Sequence, residues 1–163
     1  MRFCYLDKTE KEQWLPELFD LFYENMRSIA PLGLSYRQEK EQWLSEVSPA
    51  LEKAPRQIIL CLAGEQLVGY MQYYIREGML MVEELQLKPQ YQGTLLFCGL
   101  CKHLLRVLPG DLKTIEAYAH LKNRRSIDLM KKLGMEICQE QPPFAHLRGS
   151  AEKAYQLLKN AKK

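Results

Sequence analysis

The feature that most constrains this chain is a change of hydrophobic period near residue 56. Upstream, apolar residues recur at helical spacing: Trp14, Leu15, Leu18, Phe22 and Met26, then Trp43, Val47, Ala50 and Leu51. Downstream the pattern becomes strand-like. Residues 57–63 form an apolar run, Gly64-Glu65 makes a turn, residues 66–75 return, and Glu77-Gly78 turns into a third run over 79–88. These spacings predict an antiparallel meander of three strands. A helix over 94–108 follows, with Gly99, Lys102, His103 and Arg106 on one face and apolar residues elsewhere, stopped by Pro109-Gly110. A strand over 112–119 comes next, so the helix is a crossover and strands 79–88 and 112–119 are expected to be parallel neighbours.

The flanking elements complete the order. Residues 2–7 read as a first strand. Thr9 and Glu12 read as a capping box for the first helix, and Pro16 inside that helix predicts a kink or restart. Residues 28–35 read as a loop, Ser35 and Gln38 as a second capping box, and Pro55 as the end of the second helix. After residue 119 come a helix over 123–133 ending at Gly134, a strand over 135–140, Pro142-Pro143, a short strand over 144–148, and a helix over 150–161. The last is expected to carry Ala151, Ala154, Tyr155 and Leu158 on its apolar face. The order β-α-α-β-β-β-α-β-α-β, with a terminal β-α, predicts a mixed sheet with helices on both faces.

A chain of 163 residues with 47 % hydrophobic content has the size and core of one domain, expected to span residues 1–163. The net charge of +3, without a basic cluster interleaved with exposed aromatics, argues against a nucleic-acid partner. No run approaches the roughly 18 apolar residues of a membrane span, and residues after Met1 lack the h-region of a signal peptide, so no membrane partner is expected. Cys4, Cys61, Cys98, Cys101 and Cys138 are odd in number and sit mostly in apolar stretches, which reads as reduced, buried thiols in a cytoplasmic protein. Cys98 and Cys101 form a CxxC. No second Cys/His pair follows at zinc-ligand spacing, and the motif lies inside an apolar helical run rather than at an exposed helix start. The core reading is therefore preferred to a redox or zinc site, and no metal is expected.

Two stretches carry a family resemblance. Residues 83–93 (EELQLKPQYQG) are similar to the strand that ends E-L-x-V-x-P-x-Y-R-G in the GNAT superfamily of N-acetyltransferases, and residues 123–135 (NRRSIDLMKKLGM) resemble that family's N-x-x-A-x-x-L-Y-x-K-L-G-F. The resemblance implies an α/β (α+β) fold with a mixed, mostly antiparallel central sheet of about six or seven strands. It implies acetyl-CoA as co-substrate and direct transfer of the acetyl group to a primary amine of a small molecule or peptide. A homodimer is left open.

The implied site follows residue by residue. A helix N-terminus offers backbone N–H groups to the pyrophosphate of acetyl-CoA. In the family that loop reads Q/R-x-x-G-x-G/A; here the corresponding residues are Gln92, Gly93, Thr94, Leu95, Leu96 and Phe97, so Leu95 and Phe97 stand where glycine or alanine is usual. The two side chains either crowd the loop or turn into the core, and the sequence leaves both open. The strand stretch Leu85, Gln86 and Leu87 would supply a backbone N–H to the thioester oxygen. Asn123, Ser126 and Met130 would border the cofactor from the second motif, with Asn123 also an N-cap. Met130 replaces the family's tyrosine and cannot donate a proton; Tyr91, Tyr118 or solvent are the substitutes, although a thiolate leaves without help. Candidate general bases are Glu83 and Glu84, of which at most one faces the cleft because strand side chains alternate, and His120, placed just beyond its strand. Tyr70, Tyr73 and Tyr74 either line an acceptor pocket or pack; His146 and Arg148 either meet an anionic acceptor or sit on a surface strand. Two functions stand: an acetyl-CoA-dependent N-acetyltransferase, and a catalytically silent domain of the same fold that has lost acetyl-CoA binding.

Overall fold

The computed structural model describes residues 1–53, 55–93, 95–108 and 110–160. Among them are seven strands and five α-helices: β1 Arg2–Tyr5, α1 Lys11–Met26, α2 Tyr36–Lys53, β2 Gln57–Ala63, β3 Gln66–Arg76, β4 Met79–Leu87, α3 Leu95–Val107, β5 Thr114–His120, α4 Arg124–Lys132, β6 Glu136–Gln141, β7 Phe144–Ser150 and α5 Ala151–Asn160. The strands form one hydrogen-bonded sheet in the order β1-β2-β3-β4-β5-β7-β6. The β4–β5 pair is parallel, as the crossover requires, and β1–β2, β2–β3, β5–β7 and β6–β7 are antiparallel. Among the described residues no helix is long and apolar enough to cross a membrane.

The chain falls into two compact units. The first comprises Met1–Tyr74 and Glu84–Tyr91; the second comprises Ile75–Glu83 and the chain from Gln92 onward. In the first, Leu15, Leu18, Phe19 and Leu21 of α1 and Trp43, Val47 and Leu51 of α2 join Ile58, Leu60 and Leu62 of β2 in one buried cluster that also holds Tyr70. Ile59 and Cys61, on the opposite face of β2, are buried as well. A strand covered on both faces has no use for polar residues, which is why residues 57–63 read as a continuous apolar run. Gly69 of β3 is fixed by close approach: a Cβ there would stand 2.4 Å from Leu87 Cδ2 and 2.8 Å from the Gln86 carbonyl oxygen.

The second unit is built on β5, which pairs in parallel with β4 from Met79↔Thr114 to Val82↔Ala117 and along its whole length with β7. Ile115, Ala117, Ala119, Ala145 and Leu147 are buried, as are Leu100 and Leu104 of α3 and Ala151, Ala154 and Leu158 of α5. Tyr155, expected on the apolar face of α5, is instead exposed.

Several local expectations change. The Thr9/Glu12 capping box does not form: Asp7 accepts from both the backbone N–H and the hydroxyl of Thr9, capping a 3-10 turn at Lys8–Glu10 that leads into α1. Pro16 does not restart the helix, since α1 runs through it as one element. The Ser35–Gln38 box does form, with Gln38 Oε1 accepting from the Ser35 N–H at 3.0 Å and from its hydroxyl at 2.7 Å. The thiols of Cys61 and Cys101 are buried, but Cys138 is exposed.

Candidate functional site

The loop before α3 and the start of α4 lie in the second unit. Gly93 has a φ of +78°, a backbone conformation that suits only glycine without cost, and it turns the chain into α3. The first turn of that helix directs its backbone N–H groups out of the N-terminus. Phe97 is buried with Leu96, whereas Leu95 is 65 % exposed. Of the two bulky replacements, Phe97 has therefore turned into the core and Leu95 points to solvent. Thr94 lies outside the described residues.

Arg125 is a candidate site residue that the family motifs do not point to. Its Nη1 donates to Gln92 Oε1 at 2.7 Å, and a Cβ on Gly93 would stand 3.1 Å from its Nη2. A guanidinium thus flanks the glycine at the entry to α3. A signal for it does exist in the sequence: Arg124 and Arg125 open α4, where cations oppose the helix dipole, so something other than helix stability holds them there. Asn123 caps α4 by accepting from the Ser126 N–H at 3.1 Å, which engages both residues in helix capping. Met130 is half-buried in α4, and its carbonyl accepts from the N–H groups of Leu133 and Met135. Chemically the arrangement suits an anion: a helix N-terminus, a close-approach glycine and one flanking cation.

The end of β4 belongs to the first unit. There Asn25 of α1 donates to Gln86 Oε1 and to the Leu87 carbonyl, both at 3.0 Å, which ties the helix to the strand. Leu85 is half-buried between Glu84 and the buried Gln86. Glu84 accepts from Trp43 Nε1 at 3.1 Å through Oε1 and from the Tyr70 hydroxyl at 2.5 Å through Oε2. Burial first, and the Glu84 charge second, hold the Tyr70 phenol well above its ordinary pKa, so it remains a donor. Tyr70 and Tyr73 are buried; the Tyr73 hydroxyl meets that of Tyr5 at 3.3 Å. Both are packing residues of the first unit. Arg56 lies 5.3 Å from the centre of the Tyr74 ring. Glu83, the residue after the last β4–β5 pair, is half-buried in the second unit.

One face of the β5–β7 pair gathers three cross-strand partnerships in register: Glu116↔Arg148, Tyr118↔His146 and His120↔Phe144. His146 Nε2 meets Glu116 Oε2 at 2.7 Å, and Arg148 Nε donates to Glu116 Oε1 at 2.7 Å. The Glu116 carboxyl is buried, and its hydrogen bond and charge raise the Arg148 pKa. Tyr118 stacks on His146 with centroids 4.5 Å apart and planes within 13°, and is itself 56 % exposed. His120 meets Phe144 edge-on at 5.6 Å. It is the last residue of β5 rather than a loop residue beyond it, and its Nδ1 accepts from the Lys122 N–H at 3.2 Å. The sequence offers His146 and Arg148 as residues for an anion; it gives no sign that Glu116 holds both.

No family model matches the sequence, and no curated protein matches it either. Solved structures match the fold. The PaiA N-acetyltransferase of Thermoplasma acidophilum, solved in complex with coenzyme A, aligns over 92 % of this chain and 99 % of its own at 15 % identity, with a TM-score of 0.69. A GNAT-family acetyltransferase of Staphylococcus aureus Mu50 aligns over 91 % and 98 % at 11 % identity and a TM-score of 0.69. A spermidine N-acetyltransferase SpeG chimera from Vibrio cholerae and hSSAT aligns over 96 % and 99 % at 12 % identity and a TM-score of 0.63. These likenesses define a mixed, mostly antiparallel α/β fold of the acetyltransferase type. It is the GNAT fold.

Proposed function

We propose that the chain is an acetyl-CoA-dependent N-acetyltransferase that transfers the acetyl group directly to a primary amine of a small molecule or peptide. The observation that carries this reading is the start of α3: Gly93 at positive φ, Arg125 beside it, and Phe97 turned into the core rather than into the loop. An anionic pyrophosphate fits such a terminus, because the N–H groups it uses belong to the backbone and survive any side-chain replacement. One of the structural neighbours was solved with coenzyme A, and another is a spermidine acetyltransferase, which supports a thioester donor and an amine acceptor.

In this reading the neutral amine attacks the thioester carbonyl. The C–N bond forms, the C–S bond breaks, and the electron pair leaves on sulfur. Met130 supplies no proton to the leaving thiolate, and none is required. Among the proposed bases, Glu84 already accepts from two donors and His120 already accepts from Lys122, which weighs against both. Acceptor, oligomeric state and a cytoplasmic setting belong to the same proposal.

A second reading, the silent domain, is favoured by one observation: Leu95 is exposed where the family's loop carries glycine. Calorimetric titration with acetyl-CoA and with free CoA separates the two. Micromolar binding supports the enzyme. No heat at millimolar ligand refutes it, and binding that appears only in Leu95→Gly identifies that side chain as the block.

A further inference from the structure

Resting on the acyl-transfer reading, we propose that His146, oriented by Glu116, is the general base that takes the proton of the acceptor amine. The hydrogen bonds decide which nitrogen is available. Glu116 is an acceptor facing His146 Nε2, so the ring carries its proton on Nε2 and its lone pair on Nδ1. Among the described residues nothing donates to that Nδ1. His120 presents the opposite case, since its Nδ1 lone pair is spent on the Lys122 N–H.

The rest of the cluster serves proton uptake. Arg148 Nε occupies Glu116 Oε1 and leaves Oε2 for His146, so the buried carboxyl is fixed from both sides. When His146 gains a proton, the imidazolium forms against that carboxylate, an arrangement that orients and stabilises a catalytic histidine. Tyr118 stacks on the ring and fixes its plane. The charged and titratable groups around His146 are Glu116 and Tyr118 from β5, Arg148 from β7, and, from β6, Glu136 opposite Arg148 and Cys138, whose thiol donates to the His146 carbonyl. Tyr118, the register partner of His146, is the first β5 residue past the parallel pairing that ends at Val82↔Ala117.

The step balances. The amine nitrogen forms its bond to the acetyl carbon, the C–S pair leaves on sulfur, and the N–H proton passes to Nδ1 of His146. From there it moves to solvent or to the thiolate.

The test combines calorimetry with acetyl-CoA, release of free thiol from acetyl-CoA in the presence of n-butylamine, spermidine and an alanyl tripeptide, and 15N NMR of the histidine rings. His146→Gln keeps an N–H for Glu116 and removes the base. It is expected to bind acetyl-CoA as the wild type does, to keep its melting temperature, to lose about 10²-fold or more in turnover and to lose the acidic limb of the pH–rate profile. Added imidazole is expected to restore turnover in His146→Gly. In Glu116→Gln the ring proton is expected to move from Nε2 to Nδ1, with a fall in kcat rather than a rise in KM. Three results overturn the assignment alone: turnover with the wild-type pH profile in His146→Gln, failure of imidazole to rescue, or an Nδ1–H tautomer in the resting wild type. No heat with acetyl-CoA, or no thiol released from it with any of the three amines, overturns acyl transfer and the base role together, and shows in the wild type itself.

Discussion

Tyr70→Phe isolates a hydrogen bond that the structure makes central to the first unit. Tyr70 is 0 % exposed, and its hydroxyl donates to Glu84 Oε2 while Trp43 Nε1 donates to Oε1. The substitution keeps the ring and its contacts and removes one oxygen, so the loss is that of the bond, not of packing. A hydrogen bond to a charged acceptor contributes about 1.5–3 kcal/mol, and taking about 2 kcal/mol is reasonable because Glu84 keeps its Trp43 donor. For a domain of this length that corresponds to a fall in melting temperature of about 4–8 °C. Urea denaturation followed by far-UV circular dichroism measures it, with an unchanged slope showing that only stability has moved. Glu84→Gln is expected to cost less, since its amide oxygen still accepts from Trp43, and the double variant is expected to cost less than the sum of the two. A Tyr70→Phe midpoint within about 0.5 kcal/mol of wild type would refute the reasoning, because the hydroxyl would then be no better bound than in water.

Arg125→Ala is expected to weaken acetyl-CoA binding about tenfold, most at low ionic strength, by removing a charge-assisted contact, while stability stays level or rises by up to about 1 kcal/mol because a cation leaves the N-terminus of α4; calorimetry and a melting curve read the two opposed signs. Gly69→Ala is expected to destabilise by about 1–3 kcal/mol in urea, since its Cβ would meet a backbone oxygen at 2.8 Å that cannot swing away. Alkaline pH is a further probe. Burial first, then Cys4, pushes the Cys61 thiol from 9.0 up to about 12, so the folded protein keeps a proton that the unfolded chain releases. That contribution is intact below about pH 9 and is lost as pH rises towards 12, at up to about 1.4 kcal/mol per pH unit, with Tyr70 and Tyr73 adding the same sign from about pH 10. Cys61→Ala is expected to flatten the decline between pH 9 and 10 in urea midpoints.

Much of the fold is legible in the sequence because its signals are local. The apolar run 57–63, the turns at Gly64 and at Glu77-Gly78, and the Ser35–Gln38 box each depend on a few adjacent residues, and each forms. The fates of Leu95 and Phe97, which the sequence leaves open, are settled by the structure: Phe97 joins Leu100, Cys101 and Leu104 at i, i+3, i+4 and i+7 in a buried stripe, while Leu95 falls off it. The Thr9 box fails because Asp7 engages the Thr9 N–H and hydroxyl in a 3-10 turn ahead of α1, which itself starts without a side-chain cap. The Glu116 cluster is not legible at all. Its members are 30 and 32 residues apart, and only the register of β5 against β7 brings them to one face.

Glu84 and Glu116 show why burial of a carboxylate does not by itself mark a site. Each accepts two side-chain hydrogen bonds, and each lies on a strand of the sheet. The partners differ in kind. Trp43 and Tyr70 are neutral donors, and Tyr70 is driven further from ionisation by its own burial. Its effect is to hold α2 against β3 and β4. The partners of Glu116 are a guanidinium and an imidazole, and the imidazole is able to take up a second proton. A proton arriving at His146 strengthens its bond to Glu116, whereas the Trp43 indole and the Tyr70 phenol are donors that gain no proton. On that ground Glu84 variants are expected to move stability and leave the shape of a pH–rate profile alone, and His146 variants are expected to do the reverse.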